Sequence, residues 1–152
     1  MDSRKRKGTI MPVLELVEYI FPEIECSSNP DSPRNPDEIV PPEVRVTNRM
    51  AIKESDENIF RLTLEICFGE KEQLCSYIGR IKVVGIFSAP PELDEKEKKV
   101  FINGSSILYS AAREFVLSIT SRGPNIPLML PTVRFQVGRE DAVSSLSDQS
   151  SD

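Results

Sequence analysis

At 152 residues, 39% of them apolar and 12 of them proline, the chain can build one domain with a core but not two of ordinary size. A formal net charge of −5 argues against nucleic acid as a general partner, and no run of about 18 apolar residues offers a membrane span. Histidine is absent and the three cysteines, Cys26, Cys67 and Cys75, follow no zinc spacing, which excludes the usual zinc ligand sets and every histidine-dependent triad.

Residues 1–11 carry Arg4, Lys5, Arg6 and Lys7 with no apolar stretch behind them, and read as a flexible basic arm rather than a secretory leader. Residues 12–26 place apolar side chains on both parities, Val13, Val17, Tyr19 and Phe21 against Leu14, Leu16, Ile20 and Ile24. That pattern predicts a long strand partly buried on both faces, with Pro22 requiring an edge position or a bulge. The five prolines of residues 29–42 predict a stiff, extended connection.

Residues 43–53 alternate cleanly, with Val44, Val46, Met50 and Ile52 against Arg45, Thr47, Arg49 and Lys53. A polar turn over 55–58 leads to a third strand, 59–68, whose apolar face is Phe60, Leu62, Leu64, Ile66 and Phe68. Gly69 suits the next turn, because glycine takes positive φ without penalty. The fourth strand, 73–88, is apolar on both parities: Cys75, Tyr77, Ile81, Val83 and Phe87 on one, Leu74, Ile78, Val84 and Ile86 on the other. Something beyond the domain's own helix is expected to cover one of those faces. Gly79 and Gly85 predict bulges or close backbone approach.

The charged piece 92–100 reads as a solvated crossover with a short helix. A long helix is expected to start between Ser105 and Ser110, capped by either, with Leu108, Ala111, Ala112, Phe115, Val116 and Ile119 as its apolar stripe. Arg122, Gly123 and Pro124 are expected to end it through a left-handed glycine. Residues 126–135 are apolar yet carry Pro127 and Pro131, so they lie extended along other structure. Folded residues are thus expected over 12–137, and 138–152 as a disordered acidic tail.

No defensible nucleophile, base or metal set emerges, and Asn103-Gly104-Ser105-Ser106 lacks the spacing and lysine of a phosphate loop. The expectation is a binding protein without cofactor, not an enzyme. One long helix cannot cover both sides of a four-stranded sheet, so spare apolar surface is left for assembly, partner or client.

SILYSAARE over 106–114, followed by LSITSRGPNIPLMLPTVRF over 117–135, resembles the pattern NILFPYARE…I…SRG…P…L…P.NF of the protein-export chaperone family SecB. Gly85-Ile86-Phe87-Ser88 is similar to that family's GIFS-like strand end, and Pro42-Glu43-Val44-Arg45-Val46 to the start of its second strand. The resemblance implies an α+β fold, a four-stranded antiparallel sheet with helices on one face, assembled as a cytoplasmic homo-tetramer, a dimer of dimers. It implies a holdase for unfolded polypeptides, without cofactor, catalysis, nucleic acid or membrane insertion. Carried over by position, the client groove holds Phe21, Val44, Val46, Val133 and Phe135, with the helix as one wall and the segment after it as a lip, and Ile81 and Val83 supply oligomer contacts.

Two departures tell against docking on the SecA motor. Arg80 stands where an acidic residue is expected, and Glu25-Cys26-Ser27-Ser28-Asn29 replaces an acidic DISFE-like motif. The family's second C-terminal helix is also replaced by the serine-rich tail. A chaperone or adaptor dedicated to one partner, such as an antitoxin, fits these departures.

Overall fold

The structure, a computed structural model, describes residues 14–70 and 74–136. The expected arm, the acidic tail and the tip of the loop before the fourth strand lie outside the described residues. Strands β1 (Glu15–Ser28), β2 (Val44–Lys53), β3 (Asp56–Phe68) and β4 (Tyr77–Ser88) form one antiparallel sheet in the order β1-β4-β3-β2. Sheet and long helix agree with the expected α+β class.

Alternation fixes which face is which. Phe60, Leu62, Leu64, Ile66 and Phe68 of β3 are essentially inaccessible, as are Ile81, Val83 and Phe87 of β4, and together they form the core. A one-residue slip of either strand would bring Arg61 and Glu65 or Arg80 and Lys82 into that core, so the register is strongly specified. Gly69 takes φ +76° at the end of β3, the backbone that its lack of a Cβ permits.

β1 is an edge strand, and its register with β4 shifts between Leu16 and Glu18 and again between Ile20 and Glu23. Pro22 sits inside the second shift, so both conditions for a proline in this strand are met. The proline-rich connection then crosses the end of the sheet to the opposite edge. It is anchored where Asn29 donates to the Cys75 carbonyl at 2.9 Å and Val40 N–H bonds the Leu74 carbonyl at 2.9 Å.

The helical region departs from expectation at its start. A short helix α1 (Lys96–Lys99) runs through a π turn (Val100–Gly104) directly into α2 (Ser105–Thr120). No side chain caps α2, since the residue before it is already helical. Ser105 instead lies buried and accepts from Asn48 of β2 at 3.1 Å. The piece expected to be solvated docks through Leu93 and Val100, the second fully within the core, and Phe101 just after it is buried as well. Gly104 allows this approach, because a Cβ there would stand 2.5 Å from Leu62 Cδ1.

Leu108, Ala112 and Val116 carry α2 onto the sheet, as the apolar stripe predicts. The helix closes on β4 at Gly85, where a Cβ would lie 2.7 Å from Leu108 Cδ2. Gly123 does not adopt positive φ. It is glycine for room: a Cβ there would come 2.1 Å from the Tyr77 hydroxyl oxygen.

Candidate functional site

With one helix on one face, apolar side chains remain at the rims of the sheet. Among the described residues, four of the eight exposed large apolar side chains, Val17, Tyr19, Ile20 and Ile24, belong to β1. Pairing with β4 separates them by face. Tyr19 opposes Gly85 and Ile24 opposes Ile81, which puts both on the helix side, whereas Ile20 opposes Val84 on the outer side. Phe21 stacks on Phe115 of α2 with ring centroids 4.9 Å apart and an interplanar angle of 21°. Tyr19 meets Phe21 edge-on at 5.8 Å. Tyr19, Phe21, Ile24 and Phe115 therefore make an apolar, aromatic flank along a free strand edge.

The second flank is built by the segment after α2, which side-chain hydrogen bonds hold along the helix. Leu128 N–H donates to Thr120 Oγ1 at 3.0 Å, Arg113 Nε to the Leu130 carbonyl at 2.7 Å, and Tyr109 Oη to the Pro131 carbonyl at 2.5 Å. Leu128 and Leu130 are buried, while Val133 and Phe135 are only half-buried. The Phe135 ring meets Tyr109 edge-on at 6.0 Å. Burial raises the Tyr109 phenol above its ordinary pKa, against the pull of the Arg113 guanidinium.

The expected groove residues therefore do not lie together. Within one chain Phe21 is on the β1 edge, and Val44 and Val46 are half-buried on β2 at the opposite edge. Ile81 and Val83 require a correction. Both have zero accessible surface within the core beneath α2, and offer nothing for an oligomer contact. β4 is the inner strand beside β1, and its other parity, Ile78, Val84 and Ile86, is the half-buried set that faces outward.

The outer face is charged around Arg80. Its guanidinium bonds Glu25 at 3.0 Å and Glu23 at 3.3 Å and reaches Glu65 at 4.0 Å, while Lys82 pairs with Glu23 at 3.5 Å. The hydrogen bond and charge of Glu25, followed by the charges of Glu23 and Glu65, raise the Arg80 pKa. Burial raises the Cys26 thiol, which makes it a poorer nucleophile. Among the described residues no three His, Cys, Asp or Glu side chains stand together to hold a metal ion. No helix among them is long and apolar enough to cross a membrane.

Sequence reasoning missed Phe115 as a flank residue, because its place in the apolar stripe reads as core. It also missed the polar anchor of the second flank. Asn125 donates to the Asn29 carbonyl at 3.0 Å and the Ser76 carbonyl at 2.8 Å, and its N–H bonds the Tyr77 hydroxyl at 3.1 Å. An asparagine directly after a glycine–proline stop was the signal available.

Comparison with known proteins places this geometry in a family of binding proteins. The profile of the SecB family, described as preprotein translocase subunit SecB, matches residues 25–138. The protein-export protein SecB of Anaplasma phagocytophilum (strain HZ) is 30% identical over 132 residues, which are 84% of this chain and 77% of that one. Among solved structures, the Mycobacterium tuberculosis Rv1957 SecB-like chaperone, in complex with a ChAD peptide from the Rv1956 HigA1 antitoxin, superposes with a TM-score of 0.60. At 12% identity over 82% of this chain and 93% of that one, the likeness is one of fold. The chain belongs to the SecB family of chaperones.

Proposed function

We propose that the protein is a cytoplasmic holdase that keeps unfolded polypeptides soluble by binding their apolar stretches along its two flanks, without catalysis or cofactor. The observation that carries the reading is the exposed aromatic and aliphatic strip of β1 beside Phe115, with Tyr19 at 44% and Ile24 at 47% exposure. A strand edge with free backbone groups next to apolar side chains suits an extended client, since main-chain bonds supply affinity whatever the sequence. Phe21 serves the first flank, and Val44, Val46, Val133 and Phe135 serve the second.

The working unit is a homo-tetramer, a dimer of dimers. Its contacts draw on the outer apolar face of β1 and β4, away from the client flank, where Ile20 (57% exposed) stands beside the half-buried Val84 and Ile86. Two measurements test the reading together. Light scattering should give the mass of four chains, and one tetramer per client should suppress aggregation of several unrelated reduced, unfolded proteins. A monomer without such suppression would contradict it.

A second reading, a chaperone dedicated to one partner such as an antitoxin and not docked on the SecA motor, is favoured by the outer face. Arg80 there engages Glu23, Glu25 and Glu65, quenching the acidic surface that motor docking would use. Under that reading only one client class is protected, and the motor binds measurably only after Arg80→Glu frees those carboxylates.

A further inference from the structure

The outer face of the sheet is electrically divided. Glu15, Glu18, Glu23 and Glu25 oppose Ser88, Ile86, Lys82 and Arg80 respectively, which sets an acidic row along β1. Arg80 and Lys82 neutralise part of it along β4. On β2 and β3 the same face is basic apart from Glu65, which opposes Lys82 and reaches Arg80 at 4.0 Å. Arg45 opposes Cys67, Arg49 opposes Thr63 and Ala51 opposes Arg61, so Arg45, Arg49 and Arg61 all point away from the helix. All three are exposed, and among the described residues none has an ion pair.

Arg49, Arg61 and Lys82 ring a depression of about 510 Å³, whose lining includes Thr63 and Val84. Thr63 stands between Arg49 and Val84 in one cross-strand row, so its hydroxyl lies among the three cations. Two guanidinium forks without an ion pair among the described residues, an ammonium shared with Glu23 and a hydroxyl form a donor-rich cup, and Val84 and Ala51 beside them would pack a methylene stem. Holding unfolded chains requires none of this.

We propose that this cup is the docking site for an acidic segment of a partner protein, a Glu- or Asp-rich peptide with a carboxylate seated between Arg49 and Arg61. It is separate from the apolar flanks, so docking and client holding coexist. Charge pattern selects a short peptide over nucleic acid. The basic half is only two strands wide, roughly 10 Å at ordinary strand spacing. The glutamate row of β1 borders it through β4, and a continuous phosphate backbone crossing the sheet would run onto that row. The same row gives the docked segment a direction, with its carboxylates kept to the β2 side.

The test uses the full chain and a fluorescein-labelled Glu-Ser repeat of about ten residues, which has no apolar side chain for the flanks to hold. In anisotropy titrations at low salt, saturable binding is expected. It should weaken at least about tenfold in Arg49→Glu/Arg61→Glu and also as salt shortens the Debye length. Arg49→Gln/Arg61→Gln should weaken it less, with melting temperature and aggregation suppression unchanged in both variants. Absent binding, or equal binding by the reversed variant, overturns the proposal. Stronger binding of a thymidine oligonucleotide through the same arginines would make the partner a nucleic acid instead. A gain of more than about tenfold on neutralising Glu140, Asp141, Asp148 and Asp152 would make the chain's own acidic segment the occupant, which also overturns it.

Discussion

The Tyr77 hydroxyl accepts the backbone N–H of Asn125 at 3.1 Å, and so ties the first residue of β4 to the turn beyond α2. The same oxygen lies 3.3 Å from the carbonyls of Thr120 and Asn125, either of which can accept its proton. Because Asn125 also donates to the Asn29 and Ser76 carbonyls, three loops meet at one polar knot. Its place at the foot of the second flank makes it the hinge on which the lip, residues 126–135, is set.

Tyr77→Phe removes that knot's centre while leaving the ring. Tyr77 is 4% exposed, so the Asn125 N–H loses its partner in a place where water replaces it poorly. The expected loss is about 1–3 kcal/mol, read as a lower urea midpoint at unchanged slope. A slope change would mean that the flank had already detached in the native state.

The fit of α2 on β4 predicts a cost for a single methyl group. Gly85→Ala puts Cβ 2.7 Å from Leu108 Cδ2 in a fully packed core, and about 1–3 kcal/mol of destabilisation is expected. Leu108→Ala alone leaves a cavity and costs about 2–5 kcal/mol. Combined, the two should cost clearly less than their sum, because the new methyl partly fills the space, and denaturant titration of the four proteins measures that coupling.

Alkaline pH should loosen the second flank through Tyr109. Burial raises its pKa above the ordinary 10.0, so the folded state holds the phenol proton more tightly than the unfolded chain does. Between that ordinary value and the raised one, the unfolded state binds fewer protons and stability falls as pH rises. Below about pH 10 the contribution is fully present; above the raised value the phenolate no longer donates to the Pro131 carbonyl. Tyr109→Phe should lose that component of the alkaline slope, and the lysines common to both proteins cancel in the difference.

Strand order along the chain and the core face of β3 were legible because their alternation is strict and one-sided. β4 was not: Ile81 and Ile78 look equivalent in sequence, and only the position of the helix decides which of them is core. The helix start was hidden because a π turn replaces a capped N-terminus, leaving Ser105 to bond Asn48 instead of its own helix. Phe21 was expected in a groove with Val44 and Val46; its stacking partner Phe115 read as core, because a helix stripe does not show which of its members lies at the sheet's edge. The arginine cup was present in the sequence as the polar parity of β2 and β3. Only the neighbouring strands show that Arg80 and Lys82 are paired while Arg49 and Arg61 are not.

Client holding on the β1 flank is measured by the aggregation of a reduced, unfolded protein followed by light scattering. Tyr19→Ser with Ile24→Ser removes exposed apolar surface while leaving the Phe21–Phe115 stack and the core in place. Suppression should fall at least severalfold at unchanged melting temperature and solution mass. Suppression equal to that of the unaltered chain would contradict client holding on that flank.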